Sequence, residues 1–316
     1  MIPCLYIVVP CYNEEEVIES SNNILLGRLQ ELQDKGLIAK QSKILYVDDG
    51  SKDATWEKII KMADERKEIC AVRLAKNEGH QNALMAGMKA AYEKADIVLT
   101  IDADLQQDVN VIEQFLEKYA AGSDIVFGVR NSRDTDGIFK KMTANIFYGL
   151  MKLLGTKTIR NHADYRLMSH NALEALFEYR ETQLFLRGTV ASMGFKTDTV
   201  YFDVKKRMAG KTSYSLGKML TLAFSGITSF SIRPIHAVFG MGIITTIIGI
   251  AMIIYNIWVY IQGATVPGWT SILCSLWFLG GVMLISQGII GEYVGKTYME
   301  TKQRPLYFVK EKINID

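Results

Sequence analysis

Asp102-Ala103-Asp104-Leu105-Gln106 follows directly on the apolar run Ile97–Ile101. Two carboxylates at i and i+2 fall on one face of an extended segment. Hard divalent cations such as Mg2+ and Mn2+ take oxygen ligands and keep coordination positions for substrate phosphates. The spacing therefore predicts a cation held by Asp102 and Asp104, with the Gln106 amide as a third donor, bridging to a diphosphate. An Asp-x-Asp triplet alone is more often a pair of capping or solvated acids, so its surroundings decide the matter.

Two other polar segments end apolar runs and open helical patterns: Val9-Pro10-Cys11-Tyr12-Asn13-Glu14 and Val47-Asp48-Asp49-Gly50-Ser51. Ligands of open α/β sheets bind outside the carboxyl ends of the strands. Converging acids at three strand ends thus predict a ligand site, with Asp49 accepting from a base N–H and Glu14 from ribose hydroxyls.

The elements that must position these groups are legible in the apolar pattern. Up to about residue 130, the short runs Leu5–Val9, Ile44–Val47, Ala71–Leu74, Ile97–Ile101 and Ile125–Val129 alternate with helical patterns, the signature of an α/β domain. Their unbroken apolar character predicts strands covered on both faces. Val17, Ile24, Leu25 and Leu32 recur at helical spacing, and Asn13 with Glu16 fits a capping box opening that helix. Residues 131–165 are polar and basic and predict a mobile surface segment leading into helix, suited to acceptor entry.

At 316 residues, the chain has room for two structural units. A net charge of +2 gives no argument for a nucleic-acid partner. Four scattered cysteines, Cys4, Cys11, Cys70 and Cys274, have neither metal-ligand nor redox spacing and fit a reducing compartment. The N-terminal run lacks a basic leader and reads as a strand, not a signal peptide.

After Arg233 the composition changes. Residues 234–261 carry only His236 as a potentially charged side chain and 267–291 carry none. Each can supply the roughly 20 apolar residues of a membrane span. The connector 262–266 has no Lys or Arg, whereas Lys296, Lys302, Arg304, Lys310 and Lys312 follow the second stretch, so both termini are expected on the cytoplasmic side. The expected organisation is a catalytic domain over 1–213, an interfacial helix region over 214–233, transmembrane helices over 234–261 and 267–291, and a cytoplasmic basic tail over 292–316. Glu292, Lys296 and Glu300 are spaced to pair on a helix continuing out of the second span, expected to pack on a neighbour.

The three strand-end motifs together resemble those of the family 2 glycosyltransferases of GT-A fold, a Rossmann-like α/β architecture. Asn77-Glu78-Gly79-His80-Gln81, Asp164-Tyr165-Arg166-Leu167-Met168, Phe185-Leu186-Arg187-Gly188, Arg207-Met208-Ala209-Gly210 and Gly291-Glu292-Tyr293-Val294-Gly295-Lys296 narrow the likeness. They are similar to the polyprenyl-phosphate glycosyltransferases of the bactoprenol glucosyltransferase type, with a catalytic domain that also resembles dolichyl-phosphate mannose synthase. The resemblance implies inverting, metal-dependent transfer of a hexose from a nucleotide diphosphate sugar to undecaprenyl phosphate on the cytoplasmic membrane of a bacterium. UDP-glucose is the favoured donor, UDP-N-acetylglucosamine comes second, and GDP-mannose is compatible. It further implies a nucleotide-sugar site drawn from Pro10, Tyr12, Asn13, Glu14, Asp48, Asp49, Asp102, Ala103, Asp164 and Arg207, with Arg207 on the diphosphate from a mobile loop, and a homo-oligomer, a tetramer.

An acceptor phosphate needs cations of its own. Arg130, Arg133, Lys140 and Lys141 lie in the basic segment after the last strand run, and arginine suits bidentate phosphate contacts. Asp164 and Arg166 are expected to pair in a buried position near the sugar, and the four histidines to be structural. A processive polysaccharide synthase shares the fold and metal motif, but its group carries a Gln-x-x-Arg-Trp pattern that Gln183-Leu184-Phe185-Leu186-Arg187-Gly188 lacks. A non-catalytic nucleotide-sugar-binding membrane scaffold is the alternative of a different class.

Overall fold

A computed structural model describes residues 2–131, 162–181, 186–204, 233–262 and 268–315. The five apolar runs form β1 (Leu5–Cys11), β2 (Lys43–Asp48), β3 (Ile69–Leu74), β4 (Ile97–Thr100) and β5 (Ile125–Arg130). Between them lie α1 (Ile18–Asp34), α2 (Thr55–Glu65), α3 (His80–Tyr92) and α4 (Ile112–Ala120). β1 sits between β2 and β4, parallel to both, and β3 pairs parallel with β2.

Every residue of β1 is buried, and its side chains alternate between two cores. Leu5, Ile7 and Val9 pack with Leu25 and Leu29 of α1 and Trp56 and Ile59 of α2. Tyr6 and Val8 pack with Ala83, Leu84 and Met88 of α3. Cover on both faces is why the strands read as unbroken apolar runs, and each fully buried Leu or Ile contributes roughly 1.5–3 kcal/mol. α3 approaches the sheet closely at Gly87, where a Cβ would lie 2.7 Å from Val47 Cγ2 and closer still to Val8 Cγ1.

Three further strands complete a mixed sheet of order β7-β5-β6-β4-β1-β2-β3-β8. β6 (His162–Ser169) inserts antiparallel between β4 and β5, and β7 (Thr197–Phe202) runs parallel to β5. α5 (His170–Phe177) and α6 (Leu186–Ser192) fall between β6 and β7. The polar surface segment expected up to residue 165 is thus corrected at its end, where residues 162–165 are sheet. Asp164 and Arg166, expected as a buried pair, are 7% and 0% exposed and pair with each other.

The capping box is also corrected. α1 begins at Ile18 with Val17 at the cap position and no side-chain cap bond. Asn13 adopts φ 55°, and its Oδ1 accepts the Lys52 N–H at 2.9 Å. A turn closing Val17 N–H onto Glu14 O takes the place of the expected first helical turn.

The chain separates into two compact units, one comprising 1–152, 157–215 and 304–316, the other 153–156 and 216–303. In the second, the described residues form α7 (Arg233–Ile261) and α8 (Trp269–Thr301). One described stretch, Phe278–Thr301, is long and apolar enough to cross a membrane. Of the expected interfacial region 214–233 all but Arg233, and of the connector 262–266 all but Gln262, lie outside the described residues.

The segment 292–316 is not a plain tail. α8 continues to Thr301, with Glu292 and Lys296 facing at 3.9 Å, and β8 (Val309–Ile313) then pairs antiparallel with β3 in the first unit. Asn314 fastens the end, its Nδ2 donating to Ala63 O and Ile69 O, each at 2.9 Å.

Gly50 terminates the turn after β2 at φ +68°, and a Cβ there would lie 2.6 Å from the Lys76 carbonyl carbon and 2.8 Å from Asn77 N. Left-handed strain costs roughly 1–2 kcal/mol for a residue bearing a Cβ, and the backbone contact adds to it. Gly50→Ala is expected to lower the thermal unfolding midpoint of the full-length chain by several degrees; an unchanged melt would refute the close approach.

Candidate functional site

The parallel pairing of β1, β2 and β4 brings their carboxyl ends to one edge. Asp49 N–H donates to Cys11 O at 2.9 Å, and Ile101 N–H to Val8 O at 3.1 Å. Outside that edge is a cavity of about 410 Å3, within the size range of small-molecule sites. Of the residues singled out in the sequence, Pro10, Tyr12, Glu14, Asp49, Asp102, Ala103, Asp104 and Asp164 line it.

Asp102 and Asp104 are not on an extended segment. β4 ends at Thr100, and Leu105 N–H closes a turn onto Asp102 O while Leu105 itself takes φ 44°. Both carboxylates still reach the cavity, but the turn breaks the alternation that would have carried Gln106 there, so Gln106 is not a lining residue. Its backbone N–H donates to Asp104 Oδ1 at 3.3 Å. The amide that contacts the motif is Gln107, whose Nε2 donates to Asp102 Oδ2 at 2.5 Å. The donor set of two carboxylates suits a hard divalent cation. Among the described residues, no group of three or more His, Cys, Asp or Glu able to hold a metal occurs.

Asp49 is 3% exposed, and its oxygens accept the Glu78 and Gly79 N–H groups at 2.8 and 2.9 Å. Burial raises its pKa, and these two bonds oppose the rise. Its visible work is to hold the loop that carries Asn77 and His80 into the cavity. Asp48, fully buried, accepts Ser51 N–H and faces Arg73 Nε at 3.3 Å, and it does not line the cavity. Asn13 lines a neighbouring depression with Glu15, Lys52 and Asp53. Arg130 closes β5 opposite Phe202 and is likewise absent from the cavity wall. Arg133, Lys140, Lys141 and Arg207 lie outside the described residues.

The cavity contains two basic side chains that sequence reasoning left aside. Arg187, at the start of α6, reaches Asp164 through Nη2 at 2.7 Å and through Nε at 3.1 and 3.2 Å. His80 Nε2 stands 3.6 Å from both Asp102 Oδ1 and Asp164 Oδ2, so a residue read as structural lies between the two acids. The signal was present in the motifs around residues 77–81 and 185–188, but spacing could not say that they meet. They meet because Leu186 N–H donates to Gln81 Oε1 at 2.8 Å.

Electrostatics within the cluster are strongly coupled. Burial works against the Asp164 carboxylate, but Arg187, His80 and Arg166 outweigh it and hold its pKa well below the usual carboxylate value. Burial likewise opposes charge on His80, yet Asp164 and Asp102 leave its pKa raised. Asp102 is raised, chiefly by burial, with His80 opposing and Asp164 adding to the rise.

Because its pKa is depressed on folding, Asp164 stabilises the fold above its unfolded value, near 3.9, and loses that contribution as pH falls through the lower folded value. Asp164→Asn leaves Arg166 buried without its counter-charge. It is expected to cost about 3–5 kcal/mol near neutral pH, measured by thermal or denaturant unfolding, and less as pH is lowered below 4. A variant as stable as the parent at pH 7 would contradict the pairing.

With this geometry in place, comparison with known proteins is informative. Residues 6–177 match the family model described as glycosyl transferase family 2. The chain is 49% identical to the uncharacterized glycosyltransferase YkoT of Bacillus subtilis, over 97% of this chain and 91% of that one. It is 37% identical to the prophage bactoprenol glucosyl transferase homolog of Escherichia coli, over 96% and 97%, and to the bactoprenol glucosyl transferase of Shigella phage SfX, over 97% and 98%. A family model spanning more than half of the chain, carried by an α/β sheet whose strand ends gather the family's acidic motifs, makes this chain a member of the family 2 glycosyltransferases.

Proposed function

We propose that the protein transfers a hexose, with inversion, from a nucleotide diphosphate sugar to undecaprenyl phosphate, giving a lipid-linked monophosphoryl sugar for modification of cell-envelope glycans. UDP-glucose is the favoured donor and UDP-N-acetylglucosamine the second. The observation that carries this reading is 37% identity, over nearly the whole chain, to proteins named bactoprenol glucosyl transferases. The acid-lined cavity supplies the chemistry.

A phosphate monoester has its second pKa near 6 and is largely dianionic at pH 7. One of its oxygens bonds to the anomeric carbon as the bond from that carbon to the departing diphosphate breaks. The nucleophile carries no proton, so no general base is needed, and the protein's task is to hold two anionic groups together and stabilise developing charge. Asp102 and Asp104 would hold Mg2+ or Mn2+, which supplies Lewis-acid stabilisation of the leaving diphosphate when bound. Tyr12, 39% exposed at the rim, offers a ring face to a base, and Glu14 an acceptor for ribose hydroxyls. Arg207 is assigned to the diphosphate, and the basic segment Arg130, Arg133, Lys140 and Lys141 to the acceptor phosphate, on sequence grounds.

The lipid acceptor requires a membrane, and α7 and α8 carry many exposed large apolar residues, among them Phe239, Ile247, Ile254, Trp258, Leu276, Leu284 and Ile285. Because β8 belongs to the same sheet as β1, the chain leaves and rejoins one domain, so any membrane crossing between residues 204 and 309 must be matched by a return. This supports two spans, α7 and α8, with the catalytic domain and both termini on the cytoplasmic side. The tail Lys296, Lys302, Arg304, Lys310 and Lys312 has the positive charge of that side.

Asp104→Ala is expected to reduce sugar transfer to undecaprenyl phosphate by at least about 100-fold, assayed in detergent micelles with radiolabelled nucleotide sugar and Mn2+ or Mg2+. Full activity in that variant would remove the metal assignment. A reporter inserted within 262–267 is expected to read as extracytoplasmic, and cytoplasmic labelling there would overturn the two-span topology.

A further inference from the structure

Asp49, Asp102 and Asp164 all line the cavity, and the partners that hold them differ in charge. Asp49 spends both oxygens on the Glu78 and Gly79 N–H groups. Asp164 lies between the guanidinium groups of Arg166 and Arg187. Asp102 is held by a neutral side chain, Gln107, whose Nε2 donates to Oδ2 at 2.5 Å. A neutral donor orients a carboxylate without cancelling its charge, whereas an arginine does both. The other oxygen, Oδ1, stands 3.6 Å from His80 Nε2, beyond hydrogen-bond reach.

Gln107 is 1% exposed, yet its carbonyl oxygen has no hydrogen-bond partner. A buried polar atom left unpaired costs stability, and an apolar side chain of similar size would avoid that cost. Among the described residues the Gln107 side chain has one hydrogen bond, the donation to Asp102. The opposite orientation of the amide would set its oxygen against a carboxylate oxygen, acceptor against acceptor, so the contact itself decides which end faces Asp102. The segment around Gln107 is pinned from several sides. Ser21 Oγ of α1 donates to Ala103 O at 2.7 Å, Leu105 N–H closes onto Asp102 O at 3.2 Å, and the Tyr165 hydroxyl of β6 donates to Asp108 O at 3.2 Å. Gln107 thus sits on a fixed stretch of backbone and sets the Asp102 carboxylate instead of following it.

We infer that Gln107 is a positioning residue for the cation site, its amide occupying Asp102 Oδ2 and leaving Oδ1, with the carboxylate's charge intact, for the divalent cation. This rests on the assignment of Asp102 and Asp104 to that cation in the proposed transfer, and adds to it a buried residue behind the ligand.

The test uses the full-length protein in detergent micelles and reads Mn2+ binding directly, by electron paramagnetic resonance titration with UDP present. Gln107→Met, close in size and without a donor, is expected to weaken Mn2+ binding by about 10- to 100-fold, while UDP affinity measured by calorimetry in the presence of chelator stays within about twofold of the parent's. Gln107→Asn keeps an amide on a shorter stem and is expected to fall between Met and the parent. Transfer by the Met variant from UDP-glucose to undecaprenyl phosphate is expected to recover as Mn2+ is raised, because the site is weakened and not removed. A role in packing alone would lower metal-free UDP affinity and depress transfer at every Mn2+ concentration, and that result overturns the inference. Mn2+ affinity equal to the parent's in a folded variant does the same. A parent protein that binds no Mn2+ removes the metal assignment itself; a parent that binds it, with unaltered Gln107 variants, sinks Gln107 alone.

Discussion

The parallel pairing of β1 with β2 on one side and β4 on the other is the constraint from which the site follows. Register aligns Cys11 with Asp48 and Val8 with Thr100, so three chain segments leave the sheet at the same edge and in the same direction. Parallel strands demand crossover helices, and those helices cover both faces. The strand interiors can then be almost wholly apolar, and the polar residues gather at the ends. An antiparallel arrangement of the same segments would have split the acidic motifs between opposite edges. The cavity wall is a consequence of strand direction before it is a consequence of any individual side chain.

Gathering acids at one edge creates an electrostatic problem that the second half of the domain addresses. β6 runs antiparallel between β4 and β5 and delivers Asp164 and Arg166 beside the turn that carries Asp102 and Asp104. Burying one charge alone would cost several kcal/mol. Here the carboxylate is shared by Arg166 from its own strand and Arg187 from α6. The same cluster ties α3, β6 and α6 together through Gln81, His80 and Leu186. Site electrostatics and local packing are the same interactions.

β8 links the sheet to the apolar helices in another way. Val309-Lys310-Glu311-Lys312-Ile313 pairs with β3, and Arg73 of β3 sees both Glu311 and the buried Asp48. The chain emerges from the first unit, passes through two long apolar helices and returns to the same sheet, where backbone hydrogen bonds to β3 hold its end.

Much of this was legible in the residues themselves. Strands β1 to β5, the acidic strand ends and the apolar stretches are local properties, set by side-chain periodicity and composition over ten or twenty residues, and these the sequence alone determined. Tertiary structure decided what depends on contacts between distant segments. Leu105 turned the motif so that Gln107 and not Gln106 meets Asp102. Asp164, Arg187 and His80, separated in sequence by 23 to 107 positions, were brought together by the tertiary fold. The charged residues of β8 resemble solvated chain until β3 pairs with them. Periodicity records which face of an element is apolar, but it holds no information on which distant charge or strand edge will stand opposite, because that is fixed only when the whole sheet forms.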